Sequence, residues 1–518
     1  MKSVLTRNGR LRAWVVPTLV VLIVVCAAAA MLIGRFSVSL EDVVAALRAR
    51  FWGGPAVPPR VNSVVFDLRA PRIIVAILIG GGLSVAGASF QSLFSNPLAT
   101  PDTLGVAAGT CVGAVIALLL DWNLIGVQAA ALAAGLASAG MDVTRIGVVT
   151  TPTVAHLTAT EDTVDLGVMI SASHNPMPDN GIKFFAHGGY KLADAVEDQI
   201  EALVNTDWDR PTGDAVGEIN ADHAWAKDSY IAHLVEAIGT DLRGMKIAID
   251  CANGAASELG PAVFRELGAD ITVINASPDG RNINLNAGST HPEALQAAVV
   301  DAGCDFGVAY DGDADRCLAV DHEGNLIDGD KIMGSLAVNA QQRGALAKDT
   351  LVVTVMSNLG LLIAMREAGI KTVQTGVGDR YVLEEMLASG YSLGGEQSGH
   401  IIARDHATTG DGILSSLLIS RMVKESGRSL ADLTSFIQRL PQTLINVGGV
   451  DRAAASTNEA VAEAVAAAEA RLGDTGRVLL RPSGTEPLVR VMVEAATQEE
   501  ADSVAASLAD VVKKNLAL

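Results

Sequence analysis

Cysteine is scarce in this chain of 518 residues, positive charge is outnumbered, and the N-terminal part holds long stretches with no charge at all. Each shortage excludes something. The five cysteines, Cys26, Cys111, Cys251, Cys304 and Cys317, are scattered, odd in number and never spaced as CxxC, so they read as reduced and packed rather than as a disulfide framework or a zinc site. With 38 Lys+Arg against 58 Asp+Glu the net charge is −20, which excludes a general nucleic-acid binder, because phosphate backbones need a basic surface. Any phosphate handled here must be met by a few placed cations and a metal.

The charge is also unevenly spread. Up to Gly140 there are ten Lys+Arg and five Asp+Glu, net +5, and the rest of the chain carries −25. At roughly 100 to 200 residues per domain the length implies several domains. Residues 13–34 carry no charge and follow Lys2, Arg7, Arg10 and Arg12; about 20 apolar residues suffice to cross a bilayer. A cleaved signal peptide has the same basic start, but further apolar stretches at 73–94 and 104–120 favour an all-α transmembrane segment of about three helices. Gly80, Gly81, Gly82, Ser84, Gly87 and Ser89 give the second stretch the small residues that let membrane helices approach closely.

The string containing Arg69, Pro71, Arg72, Gly87, Gln91, Asn96, Pro97, Leu98, Ala99, Pro101, Leu104 and Gly105 resembles the permease subunits of ABC importers for iron-siderophore complexes and cobalamin. It covers only the first third of such a permease. The loop that docks the ATPase has no counterpart, so neither transport nor an ATPase partner is expected.

Past Asp121 the pattern changes. Residues 124–139 form an alanine-rich stretch, short for a membrane span and suited to a soluble helix ending at Gly140. A β-branched run at 145–150 then predicts a buried strand before a Thr-Pro turn. Beyond it, strands are predicted at 246–250, 271–274, 306–310 and 351–355, and helices at 292–302 and 378–388, the alternation of a multidomain α/β protein.

Four motifs carry chemistry. In SASHNP, Ser173 sits on a sharp turn beside His174 and Asn175, an exposed hydroxyl in a polar niche; alone, such a segment is more often a turn than a nucleophile. In DGDADR, Asp311, Asp313 and Asp315 alternate directly after a predicted strand and can converge on a hard cation such as magnesium, with Arg316 beside them for phosphate charge. An EF-hand loop is excluded, because its twelfth position is His322 rather than glutamate. In GEQSGH, Glu396 and Ser398 offer acceptors and donors suited to sugar hydroxyls. In RPSGTEPLVR, Ser483, Gly484 and Thr485 can form a nest for a phosphate whose charge Arg481 and Arg490 neutralise.

Taken together and in this order, the four motifs resemble the α-D-phosphohexomutases, and Gln397 with the wording ISASHNP, DNGIKFF and TGVGDRYV is similar to their phosphoglucosamine mutase branch. The resemblance runs from about Gly140 to Leu518. It implies that Ser173 is the phosphoserine and that Asp311, Asp313 and Asp315 bind Mg2+ together with the phosphoserine oxygen. It implies that Lys183 and His400 serve proton transfer and charge stabilisation, with Arg316 serving the latter. Thr375, Gly376, Asp379 and Arg380 would lie in the loop that discriminates substrate. The reaction implied interconverts glucosamine 6-phosphate and glucosamine 1-phosphate through a glucosamine 1,6-bisphosphate intermediate that keeps the serine phosphorylated.

The fold expected is therefore an α/β multidomain phosphohexomutase preceded by an all-α transmembrane segment. Its parts are a membrane fragment (1–124), a junction (125–140), a partial first domain with the phosphoserine loop (140–225), a second with the magnesium loop (226–325), a third with the sugar loop (326–437) and an α+β fourth with the phosphate loop (438–518). The family's opening strand and loop, G-T-D-G-x-R-G, and the G-R-D-x-R-x-S-G-like turn that follows have no counterpart. A truncated first domain should expose strand edges and an apolar face, leaving an impaired mutase or an inactive fusion of two genes. The mutase part is expected in the cytoplasm and as a possible homodimer, with the N-terminal segment integral to the cell membrane. Three spans from an inner N-terminus would place the mutase outside, a conflict that favours an accidental join.

Overall fold

The computed structural model describes residues 6–7, 10–11, 30, 38–55, 57–70, 73, 124–203, 211–482 and 488–518. The chain divides into two compact units, Met1–Gly109 with Asp207–Asp209, and Thr110–Thr206 with Arg210–Leu518.

In the first unit the helix Leu40–Trp52 starts where Ser39 and Asp42 cap each other: the Asp42 amide donates to the Ser39 hydroxyl at 3.1 Å, and the Ser39 amide donates to the Asp42 carboxylate at 3.2 Å. Gly53, at φ 70°, ends it in a left-handed cap. A short helix, Pro59–Asn62, runs into a π-helical turn, Ser63–Arg69. Val38, Val43, Ala46, Val64 and Val65 pack together between them. Among the described residues no helix is long and apolar enough to cross a membrane. The spans expected at 13–34, 73–94 and 104–120 lie outside the described residues apart from 30 and 73, as do the permease-like motif residues after Arg69.

The second unit opens with the alanine-rich helix Leu124–Ser138. Its 15 residues span roughly 22 Å, short of a hydrocarbon core of roughly 30 Å. Ala133 and Ala137 are buried instead. The strand expected at 145–150 is displaced: Val143–Arg145 pairs in parallel with Ile219–Ala221, and no strand continues beyond Arg145. Helix signals override the β-branched run there. Thr150 caps the helix Thr151–Thr160 by accepting from the Thr153 amide at 3.3 Å, and Pro152 sits in the first turn, where a missing N–H costs nothing. The hairpin Leu166–Ser171 with Gly181–Ala186 forms a second, separate two-stranded sheet. Ile182, on the strand Gly181–Ala186, is 53% exposed, as an incompletely covered sheet face would leave it, and Val148, in the loop after Arg145, is 63% exposed.

The next domain holds a five-stranded sheet in the order Leu326–Ile327, Cys317–Asp321, Phe306–Tyr310, Lys246–Asp250, Asp270–Ile274. Lys246–Asp250 and Phe306–Tyr310 occupy the predicted positions, and Asp270–Ile274 begins one residue early. Lys246–Asp250 runs parallel to both neighbours, while Phe306–Tyr310 and Cys317–Asp321 are antiparallel. The DGDADR turn thus sits at the carboxyl end of the parallel strands, where α/β sheets place ligands. The following domain repeats the plan with four strands, Lys371–Thr375, Thr350–Thr354, Leu393–Gly395 and Ile401–Ala403, and the helix Asp379–Ser389 lies within a residue of its predicted range.

One apolar core, from Val154 and Phe185 through Tyr230, Phe264 and Tyr310 to Leu417, runs through these first three domains. The C-terminal domain has its own. Its sheet, Gln442–Gly448, Leu488–Glu494, Arg477–Pro482, packs Val489, Val491 and Val493 against Val504, Leu508 and Val512 of the helix Gln498–Leu516. Its seam with the third domain is polar. Buried Glu494 pairs with Arg477 at 3.0 Å and accepts from the Asn358 side chain at 3.1 Å and the Leu359 amide at 2.9 Å.

Where the helix Thr151–Thr160 meets His223–Ile238, the rings of His156 and His233 stack with centroids 4.5 Å apart, and His156 shares a 3.2 Å hydrogen bond with Ser229. Burial first, and the neighbouring His233 second, push the His156 pKa down to about 4. A depressed base adds stability above its unfolded pKa and loses it as pH falls from about 6.5 towards about 4. Between pH 7 and pH 5 the chain should therefore lose on the order of 1 kcal/mol through this group once solvent screening is allowed for. His156→Gln should remove that part of the acid slope in urea unfolding; an unchanged slope would contradict it.

Candidate active site

Ser173 lies in the loop of the hairpin Leu166–Ser171 and Gly181–Ala186, with φ 52°, a left-handed conformation uncommon outside glycine. Local polar contacts hold the turn. The Ser173 amide donates to the Ser171 hydroxyl at 2.9 Å, the Asn175 amide donates to the Ala172 carbonyl at 2.9 Å, and Pro176 stops regular structure. The Ser173 hydroxyl is left facing the next domain, 3.4 Å from the Asp311 carboxylate.

Asp311, Asp313 and Asp315 are 0%, 0% and 3% exposed, and each offers an oxygen within 4.8 Å of the others. Three clustered carboxylates without compensation would repel strongly, and the structure shows how the charge is met. Lys183, from the strand after the serine loop, lies 2.6 Å from Asp313 and 2.9 Å from Asp315; the Thr151 hydroxyl donates to Asp313 at 2.5 Å, and the Arg316 amide to Asp311 at 3.1 Å. Asp313 Oδ1 and Asp315 Oδ1 are buried without a protein hydrogen bond. An oxygen cluster with spare lone pairs fits a magnesium-sized cation.

The electrostatics follow from this packing. Burial, then Asp315 and Asp313, push the Asp311 carboxyl well above its ordinary range. Burial also raises Asp315, but Lys183, His400 and Arg316 outweigh it and hold that carboxyl below the usual range. For Lys183, burial favours the neutral amine, yet Asp315 and Asp313 more than reverse this and keep an ammonium. His400 is pushed down by burial against the opposing pull of Asp315 and Asp379. Its Nε2 lies 3.5 Å from Asp379, and a Cβ on Gly410 would fall 2.4 Å from the ring, so only glycine lets the imidazole sit there. An enclosed imidazole between carboxylates suits proton transfer.

The third domain brings its loops to one another. Thr375 ends a strand and donates to the Gly376 carbonyl at 3.0 Å; Asp379 pairs with Lys191 of the first domain; Arg380 meets Glu384 at 2.7 Å. Glu396 accepts from the Gly378 amide at 3.1 Å, Ser398 lies 3.4 Å from Glu396, and Gln397 donates to Asp328 at 3.4 Å. Serine loop, aspartate loop, Lys183 and Arg316 are thus joined by hydrogen bonds and ion pairs, and His400 lies against Asp379 of the third domain. Arg481 and Arg490 face each other across the C-terminal sheet; Ser483, Gly484 and Thr485 lie outside the described residues. The site also includes residues that the motifs did not flag: Thr151, Lys191 and Asn284. Only Thr151 carried a signal, as part of a helix start.

Comparison with known proteins agrees with this arrangement. Four segments match the phosphoglucomutase/phosphomannomutase domains: α/β/α domain I at 114–210, α/β/α domain II at 228–324, α/β/α domain III at 328–440 and the C-terminal domain at 444–511. Two solved structures share the fold. A phosphoglucomutase/phosphomannomutase family protein from Burkholderia thailandensis aligns with TM-score 0.64 at 23% identity, over 75% of this chain and 86% of that one. An Aspergillus fumigatus N-acetylphosphoglucosamine mutase, solved with GlcNAc-6P and magnesium, aligns with TM-score 0.56 at 20% identity, over 72% and 96%. Fold and site thus define a phosphohexomutase, an enzyme of the isomerase class. The phosphoglucosamine mutase of Bifidobacterium animalis subsp. lactis (strain AD011) is 61% identical over 393 residues, 75% of this chain and 86% of that protein. The chain belongs to the phosphoglucosamine mutase family.

Proposed function

We propose that the chain interconverts glucosamine 6-phosphate and glucosamine 1-phosphate, with Ser173 as the phosphate carrier. The observation that carries this reading is the Ser173 hydroxyl, turned by a left-handed residue to within 3.4 Å of Asp311 at the edge of the aspartate cluster. Phosphoserine 173 gives its phosphoryl group to the free sugar hydroxyl, which loses its proton; the resulting glucosamine 1,6-bisphosphate reorients and returns its other phosphoryl group to Ser173. Bonds and charge balance, and no net phosphate is consumed. Asp311, Asp313 and Asp315 would hold Mg2+, which supplies charge neutralisation for the phosphoryl group. Lys183 and Arg316 present fixed positive charge. His400 is the group suited to move the hydroxyl proton. Thr375, Gly376, Asp379, Arg380, Glu396, Gln397 and Ser398 orient the sugar; Arg481, Arg490 and the segment with Ser483, Gly484 and Thr485 hold its distal phosphate.

The test is 31P NMR of glucosamine 6-phosphate with the purified chain, catalytic hexose bisphosphate and Mg2+. The 1-phosphate should appear and should stop appearing on chelation; no conversion, with the phosphoserine demonstrably present, would overturn the assignment. Substrate choice is a separate expectation. Gln397 is tied to Asp328, and glucosamine 6-phosphate should have a specificity constant about tenfold or more above those of glucose or mannose 6-phosphate, within the range hydrogen-bonded discrimination supplies. Equal or reversed ratios would move the chain to the phosphomannomutase side of the class.

A further part of the proposal concerns the first domain. Among the described residues its strands form two separate two-stranded sheets and Ile182 is exposed, which supports the reading that strands completing this domain are missing and that turnover is reduced. The residues before it are the permease-like fragment, joined to a cytoplasmic-type enzyme near the alanine-rich helix.

A further inference from the structure

The serine loop is gripped from the neighbouring domain by a residue outside all four motifs. Asn284 lies in the segment between the strand Asp270–Ile274 and the 3-10 turn Gly288–Thr290, is 7% exposed and has φ 57°. Its backbone amide donates to the Ala252 carbonyl at 2.9 Å, fixing it to the second domain. Its side-chain Nδ2 donates to the Ser173 carbonyl at 2.7 Å and to the Asn175 carbonyl at 2.8 Å. Both protons of one amide thus go to the two carbonyls that bracket His174. The orientation of the amide is set by this: turned over, Oδ1 would face two carbonyl oxygens.

We propose that Asn284 is a positioning residue for phosphoryl transfer, clamping the Ser173 loop so that the Ser173 hydroxyl points at the aspartate cluster. The inference rests on the reading of Ser173 as the phosphate carrier. Two demands meet at this position. The backbone is left-handed, which restricts the choice to glycine, asparagine and aspartate without strain. The loop needs two donors. Glycine has no side chain and an aspartate carboxylate only accepts, so asparagine alone satisfies both.

The clamp has one companion. The Gly312 amide also donates to the Ser173 carbonyl, at 3.1 Å, and a Cβ on Gly312 would lie 2.5 Å from that same oxygen. Gly312 belongs to the DGDADR turn, so the Ser173 carbonyl is held between the cation loop and Asn284. With the Asn284 donors removed, the Gly312 amide is the one backbone tie from the neighbouring domain to the serine carbonyl that is left among the described residues, and the remaining bonds, within the turn and from the Ser173 hydroxyl to Asp311, move with the serine. A loosened turn stays attached at Gly312 while its hydroxyl is free to move. Since a displacement of about 1 Å can cost on the order of a hundredfold in rate, the effect should fall on transfer rather than on sugar binding, which uses other loops.

The experiment compares the full chain, in detergent, with Asn284→Asp and Asn284→Gly. Both keep the left-handed backbone and lose both donors. Hydrogen exchange of residues 172–176 should quicken about tenfold or more, with exchange in the strand Phe306–Tyr310 unchanged and the melting temperature lowered by no more than about 5 °C. Single-turnover transfer from the phosphorylated protein to glucosamine 6-phosphate should slow about a hundredfold at saturation, with half-saturation moved by less than about threefold. Unchanged exchange in the serine loop overturns the clamp. A loosened loop with an unchanged transfer rate overturns the positioning role, as does a rate loss accompanied by faster exchange in Phe306–Tyr310, which would mark general unfolding. If the parent chain never carries phosphate, the Ser173 reading fails instead, and the exchange result still decides the clamp.

Discussion

Ser173→Ala will be isolated without phosphate, and its turnover of glucosamine 6-phosphate will be lower than that of the parent by about a thousandfold or more, the scale seen when a covalent nucleophile is removed. The parent should lose the mass of one phosphoryl group on phosphatase treatment, and the variant should show no change. The expectation is this large because the surrounding groups act only through the phosphoryl group. Lys183, 2.6 Å from Asp313, is already paired with the aspartate triad, and three buried carboxylates gathered as a cation site are poorly placed to take the phosphoryl group in place of the hydroxyl. Alanine in a left-handed position costs about 1–2 kcal/mol, so Ser173→Gly should be run beside it. If Ser173→Gly still gains and loses one phosphoryl group, the carrier is another residue.

The second large effect concerns the first domain. Replacing residues 1–123 by the N-terminal segment that precedes the matching region in the Bifidobacterium animalis relative should raise turnover by about a hundredfold or more. The serine loop is carried by a two-stranded hairpin, and an isolated hairpin is marginal without further strands or a covering helix. Here the helix Thr151–Thr160 covers one face: Val154, Leu157 and Phe185 are buried, while Ile182 of the hairpin is exposed. Added strands would bury it and stiffen the turn that aims Ser173. Equal turnover in both proteins, measured by the same 31P assay, would show that the described hairpin already holds the serine well enough.

Much of the architecture was legible because it is locally encoded. The strands Lys246–Asp250 and Phe306–Tyr310 stand where short apolar runs between glycines and turns placed them, and the aspartate cluster follows from three acids alternating after a strand. The run at 145–150 misled because β-branched residues do not decide a strand without a partner, and Thr150 with Pro152 supplied a stronger helix start. Lys191 and Asn284 were invisible for another reason. Their partners Asp379 and Ser173 are distant in sequence, so nothing in the local wording of either segment marks the contact.

The polar seam around Glu494, Arg477 and Asn358 has a mechanical meaning. A joint sealed by apolar surface resists opening in proportion to its area, whereas one sealed by hydrogen bonds, from Asn358 and Leu359 to Glu494 and from Arg477 to the Ser357 carbonyl, can trade those bonds for water as it parts, at a modest net cost per bond. The C-terminal domain keeps its own apolar core closed while this happens. Arg481 and Arg490, opposite each other on neighbouring strands of that domain's sheet, therefore keep their spacing to each other whatever happens at the joint.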